Sequence, residues 1–122
     1  MLEPNQIKRL LDIAALGCHR GHAGLAREII TGLDQLLENS VELEICRAMS
    51  YYTVDQFPEA IDILSSAGEK FPGNPMITAH MALVEILMDN GIDARKKLDA
   101  VAAQSEDLEA KRLAEILISQ YF

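Results

Sequence analysis

The residues best suited to chemistry are two cysteines and the histidines near them. Cys18, His19 and His22 fall within one short segment, and Cys46 and His80 follow much later in the chain. Zinc sites need close-set pairs such as C-x₂-C, and the cysteines are not spaced in that way. We therefore expect no metal site and no cofactor. Both cysteines are interpreted as small helix residues that remain thiols in a reducing compartment, without a disulfide.

The remaining polar residues show no catalytic pattern. The sequence has no nucleophile paired with a base, no glycine-rich phosphate loop and no carboxylate pair set in apolar surroundings. Glu85 lies within an apolar segment, and an unpaired buried carboxylate is costly. We expect Glu85 to reach solvent or to meet a basic side chain, and we do not expect an enzyme.

Charge and hydropathy restrict the partners and the compartment. The 11 basic and 19 acidic residues give a net charge of −8, which repels phosphate backbones and anionic lipid, so nucleic acid and membranes are not expected partners. The cluster Arg95, Lys96 and Lys97 is interpreted as the solvated face of a helix. The sequence has neither an apolar run of membrane-spanning length nor the apolar core of a signal peptide near its start, which predicts a cytoplasmic protein.

Alanine recurs in two columns at a spacing of 34 residues, which is the most informative pattern in the chain. The first column is Ala14, Ala48 and Ala82, and the second is Ala26, Ala60 and Ala94. A period of 34 residues is the length of the tetratricopeptide helix-turn-helix unit, in which small residues lie where the paired helices cross. The six alanines are therefore predicted to be repeat-packing residues.

The central unit resembles a tetratricopeptide repeat along its whole length. The family's marked positions are filled by Ala48, Tyr51, Phe57, Ala60, Leu64, Ala67 and Pro72. The flanking units keep the apolar skeleton but have Gly17 and Glu85 where the central unit has Tyr51, a further packing residue. The resemblance implies an all-α solenoid of three repeats in a single domain, residues 1–122, with repeats at 7–40, 41–74 and 75–108. The spacing of Ala110, Leu113, Ala114 and Leu117 predicts a capping helix over residues 105–120, because the last repeat leaves an apolar face uncovered.

Local signals predict where several helices begin and end. Asn74 followed by Pro75 predicts a helix start, since asparagine can accept from free backbone N–H groups and proline has none to lose. Gly21 and Gly91 are expected to end helices in the left-handed conformation that glycine adopts at little cost. Asp55 is expected to cap the helix that has Pro58 in its first turn.

In the tetratricopeptide family the first helix of each repeat lines a concave groove. Transferring the groove positions gives Leu11, Ala15, Cys18, Ile45, Met49, Tyr52, Ala79, Leu83 and Ile86. All are apolar or weakly polar, which suits the apolar face of an amphipathic helix better than a charged peptide end. In the alternative interpretation, the chain's own terminal helix or a second copy covers some of these side chains.

A small acidic chain of three such repeats and a terminal helix resembles the chaperones of bacterial type III secretion systems. In size it is most similar to the needle-subunit chaperones. This resemblance implies that the groove holds the C-terminal helix of the needle subunit and prevents its premature polymerisation in the cytoplasm. It also implies that a small helical co-chaperone packs on the first repeat. Two alternatives remain: a translocator chaperone or general tetratricopeptide adaptor with a different client, and a self-associating structural module.

Overall fold

The structure is a computed structural model that describes residues 2–122, so Met1, at the start of the predicted domain, lies outside the described residues. Within this range the chain forms seven α-helices and no β-strand. The helices are α1 (Pro4–His19), α2 (Ala23–Asp34), α3 (Val41–Tyr52), α4 (Phe57–Lys70), α5 (Pro75–Leu87), α6 (Gly91–Gln104) and α7 (Leu108–Tyr121). The predicted all-α class is confirmed, and the succession of helices is consistent with an α-solenoid-like fold. None of the helices in residues 2–122 is long and apolar enough to span a bilayer.

The chain divides into two compact units, one up to Ile63 and one from Leu64 to Phe122, with the division inside α4. In the first unit α1, α2 and α3 pack against one another in pairs. Its core contains Leu11, Ile30, Leu33, Leu43 and Cys46. Burying each large aliphatic side chain contributes roughly 1.5–3 kcal/mol, so this cluster contributes strongly to the stability of the unit.

In the second unit α5, α6 and α7 pack against one another. The core is built from Ala82, Ala94, Leu98, Val101, Ala110, Ala114 and Leu117. The terminal helix thus covers apolar surface of the preceding hairpin, as its spacing predicts. It begins at Leu108 rather than at the predicted residue 105, because the Asp107 carboxylate accepts from the N–H groups of Glu109 and Ala110 at 3.0 and 3.1 Å and so fixes the first turn.

One turn geometry recurs three times at the 34-residue spacing. Gly21, Asp55 and Asp89 have φ values of 84°, 63° and 63°. In each case the N–H of the next residue donates to the carbonyl five residues before it. These bonds join His22 to Gly17 at 2.7 Å, Gln56 to Tyr51 at 3.0 Å and Asn90 to Glu85 at 2.8 Å. The backbone therefore has the same period as the alanine columns.

The turns correct two of the predicted boundaries and confirm a third. Gly91 does not close a helix: it is the first residue of α6, and Asp89 takes the left-handed conformation instead. Asp55 takes that conformation too, two residues before α4, so it is not the cap of α4. Aspartate is among the few residues that tolerate this region of φ and ψ, so glycine is not needed. Gly21 is left-handed as predicted.

The predicted start of α5 is confirmed. The Asn74 side chain accepts from the N–H groups of Met76 and Ile77 at 3.0 and 3.2 Å, and Pro75 is the first helical residue. Ser40 has the same role at α3, where its hydroxyl accepts from Leu43 N–H at 3.2 Å. Both residues satisfy backbone donors that would otherwise have no partner within the helix.

All six predicted repeat-packing alanines are buried, with at most 1% of their surface exposed. Where α1 and α2 meet, a Cβ added to Gly17 would lie only 4.0 Å from the Ala26 Cβ, so the two helices approach closely there. Interiors are close-packed, and an added methylene forces the surrounding helices apart. Small residues at these positions are therefore a requirement of the packing.

The turn conformation predicts opposite effects of one substitution at two glycines. A Cβ added at either Gly21 or Gly24 would meet no atom within 4 Å, so space does not distinguish them, but only Gly21 has a positive φ. Gly21→Ala should lower the free energy of unfolding by about 1 kcal/mol, because a Cβ is strained in the left-handed region. Gly24→Ala should raise it, because alanine favours the helix, but by less than the roughly 1 kcal/mol of a helix interior, since Gly24 is the second residue of α2. Urea denaturation of both variants measures this, and equal effects would contradict the assigned turn.

Candidate partner-binding site

The nine predicted groove residues lie on α1, α3 and α5, as the repeat positions require. Six are buried in the chain itself: Leu11, Cys18, Ile45, Met49, Tyr52 and Ala79. Ala15, Leu83 and Ile86 are half-buried. Within each unit these residues therefore present only part of their apolar surface to solvent.

Contacts within each unit explain this burial. In the first unit Leu11 belongs to the core and Ala15 packs against it, while the Cys46 thiol donates to the Leu11 carbonyl at 3.6 Å. In the second unit Leu83 and Ile86 pack against the core cluster. The predicted positions therefore contribute to folding as well as to any site, which sequence spacing alone does not reveal.

Burial keeps two thiols and one phenol of the first unit, those of Cys18, Cys46 and Tyr52, in their neutral forms. Burial raises the pKa of the Cys46 thiol to about 11, and the neighbouring Cys18 thiol adds to this. Burial likewise raises the pKa of Cys18, against a smaller opposing effect of Arg27. The Tyr52 pKa is also raised, first by burial and then by the two thiols. A thiol with a raised pKa is a poor nucleophile at neutral pH, so these groups offer apolar surface rather than reactivity.

Arg27 anchors α2 to α3, a role that the sequence did not indicate. Its guanidinium carbon lies 4.0 Å from the centre of the Tyr51 ring, a cation–π contact. The same group donates to the Ser50 carbonyl and the Gln56 side chain, each at 2.8 Å. Because Arg27 and Tyr51 are far apart in sequence, no local pattern could have indicated the pair.

Glu85 occupies the repeat position that Tyr51 occupies in the central repeat, and it is buried. Lys97 Nζ lies 2.7 Å from Glu85 Oε1, so Glu85 meets a basic side chain as expected. Among residues 2–122 no hydrogen bond of good geometry reaches that oxygen, so the lysine is the contact that compensates its charge. Lys97 was predicted to lie on a solvated helix face with Arg95 and Lys96, but it forms an ion pair with the buried Glu85.

The candidate metal ligands are not brought together. In the part of the chain from residue 2 onward, no three His, Cys, Asp or Glu side chains lie close enough to hold an ion. Cys18 and Cys46 are buried free thiols, and His80 is buried on α5. Within the segment that contains Cys18, His19 and His22, the cysteine is buried in the fold, whereas both histidines are exposed.

No family model matches the chain, and no curated protein is significantly similar to it. Support for a function therefore comes from the repeat period, the turn geometry and the apolar character of the nine groove positions.

The buried ion pair generates a prediction with a control at the adjacent residue. Lys97→Met should lower the free energy of unfolding by about 1–2 kcal/mol, because it leaves the buried Glu85 carboxylate without its counter-ion. The effect is smaller than for a fully buried pair because the Lys97 side chain is partly exposed to solvent. Lys96 is exposed, so Lys96→Met should change the stability by less than about 0.5 kcal/mol. Equal changes in chemical denaturation would show that the pair does not stabilise the fold.

Proposed function

We propose that the chain is a tetratricopeptide-type binding protein with three repeats, residues 7–40, 41–74 and 75–108, closed by α7. Support comes from two periods that coincide: that of the buried alanines, and that of the left-handed turn with its closing hydrogen bond. A shared side-chain and backbone period is typical of proteins built from equivalent stacked hairpins.

The bound partner is an amphipathic helix, recognised by its apolar face. The observation that supports this assignment is that the nine predicted groove residues include no charged residue type, and burial keeps their two ionisable side chains, Cys18 and Tyr52, neutral. A charged peptide end would need fixed cationic or amide donors in exchange for water, whereas an apolar helix face needs only a matching apolar surface. Met49 adds an adaptable side chain to this surface.

The half-buried residues make the first contacts with the client. Ala15, Leu83 and Ile86 are accessible at their edges, and the buried members of the set come into contact only as the neighbouring side chains adjust. Rearrangement of rotamers at an interface is common on binding and accompanies little backbone movement in many complexes. The affinity depends on this rearrangement rather than on the area alone.

If the chain is a needle-subunit chaperone, the client is the C-terminal helix of a type III needle subunit. Covering that helix removes a surface that the subunit needs for polymerisation, and the chain thereby keeps it monomeric in the bacterial cytoplasm. The activity is sequestration and not catalysis. A small helical co-chaperone would pack on α1 and α2, where Ile13 and Leu16 are each about half exposed. A translocator chaperone or a general adaptor would bind a different helix at the same positions.

The function is tested with a substitution at the groove and a control elsewhere on the same core. Leu83→Asp should abolish complex formation with the needle subunit encoded in the same genome and remove protection against its polymerisation, because a carboxylate cannot be buried against an apolar helix. Leu113 is also half-buried and packs against the same cluster, but it lies outside the groove positions. Size-exclusion chromatography and light scattering measure complex and polymer.

The two variants separate binding from folding. Both should lose some thermal stability, and circular dichroism shows whether each remains helical. If only Leu83→Asp fails to form the complex, the result supports the proposed binding groove. Equal loss in Leu113→Asp, or polymerisation unaffected by the wild-type chain, contradicts the proposed function.

A further inference from the structure

The outer face of α2 carries an apolar stripe that the chain itself does not cover. Leu25 and Leu36 are 59% and 60% exposed, and Ile29 is half-buried where it borders the core. At about 100° per residue, Leu25, Ile29, Gly32 and Leu36 fall on one side of the helix. Gln35 keeps the right-handed helical conformation after the last residue of α2, so the turn continues to Leu36. We call these four residues the α2 face.

A neighbouring side of α2, about 100° around the helix, is fixed to the first unit. Ala26, Ile30 and Leu33 are buried there, and further around the helix Arg27 binds Tyr51 and its neighbours on α3. These contacts hold α2 with the α2 face exposed. It is available to another molecule without unfolding.

Gly32 lies in the middle of the α2 face without a local reason to be glycine. Its φ is not positive, and a Cβ added there would meet no atom within 4 Å. Glycine in a helix interior destabilises it by about 1 kcal/mol relative to alanine. What glycine offers instead is a flat surface on which another helix can lie close.

The spacing of the α2 face is symmetric about a point between Ile30 and Thr31. If a second α2 lies antiparallel across this point, Leu25 is opposite Leu36 of the other copy, and Ile29 is opposite Gly32. The half-buried isoleucine of the face then meets the position that has no side chain. A surface that is complementary to itself in this way is what a two-fold interface requires.

Charge favours a second copy at this place over the rest of the surface. Residues 1–34, which end with α2, contain four basic and four acidic residues, whereas residues 35–122 contain seven basic and fifteen acidic ones. Two molecules of net charge −8 repel each other, and the first hairpin is the part of the chain where that repulsion is smallest. The face itself is uncharged, with Glu28 the charged residue on its border.

We propose that the α2 face is the contact of a two-fold homodimer, with two antiparallel α2 helices crossing near Gly32. The interface is distinct from the groove positions on α1, α3 and α5, so a chain can pair through α2 and bind a client elsewhere. A co-chaperone bound to the same hairpin would compete with the second copy.

The test is the mass of the full chain in solution by analytical ultracentrifugation across the micromolar range. The wild-type chain should sediment at twice its 13.5 kDa mass. Gly32→Leu should sediment as a monomer, because the added side chain blocks Ile29 of the other copy, and its thermal stability should be unchanged or higher. Gly24→Leu is the matched control: it makes the same change in open space on the same helix, about 100° away from Leu25, and should remain dimeric.

A compensating variant tests the pairing itself. Ile29→Ala combined with Gly32→Leu moves the large side chain from one position to the other and should restore the dimer lost in Gly32→Leu. A monomeric wild-type chain, a dimer retained in Gly32→Leu, or an assembly larger than two would each overturn the proposal. The mass is measured without a client, so a monomeric result would reject the dimer and leave the groove assignment unaffected. Likewise, loss of the groove assignment would leave the dimer proposal unaffected.

Discussion

The structure depends on close contact between paired helices at positions where only a methyl group fits. Ala14 and Ala26 occupy such positions on the first two helices, and Ala82 and Ala94 do so on α5 and α6, all essentially without exposed surface. Dispersion contacts fall off steeply with separation, so a larger side chain there would weaken the packing on both sides of it. The turn between the helices must then be short and of fixed shape, which the left-handed residue and its closing hydrogen bond provide.

The period of this hairpin could be predicted from sequence because alanine, the residue that the close contact demands, marks it. The start of α5 was also predictable, since Asn74 and Pro75 are chemically specific signals. The left-handed residues were less so: glycine marks the position at Gly21, whereas Asp55 and Asp89 have the same conformation but also suit a helix cap. Aspartate can either cap a helix or adopt the left-handed conformation of a turn, so the residue type alone does not show which of the two occurs.

The helices that carry the nine predicted groove residues could be predicted from the repeat spacing, but the burial of these residues could not. Repeat spacing places Leu11, Ile45 and Leu83 on the first helix of each repeat. It does not predict how deeply a side chain is buried between neighbouring helices. Arg27 was missed for a related reason, since its partner Tyr51 is adjacent only after folding. The α2 face is the reverse case: its residues are ordinary in sequence, and only their exposure in the folded chain makes them informative.

Through-hydrogen-bond scalar couplings measured by NMR test most directly the proposal that three equivalent hairpins share one turn. Each coupling joins an amide nitrogen to the carbonyl carbon that accepts its proton, so it reports a single bond. A resolved coupling is expected for His22 to Gly17, for Gln56 to Tyr51 and for Asn90 to Glu85. A coupling for the central pair alone would mean that the flanking hairpins are not copies of it, and would contradict the account.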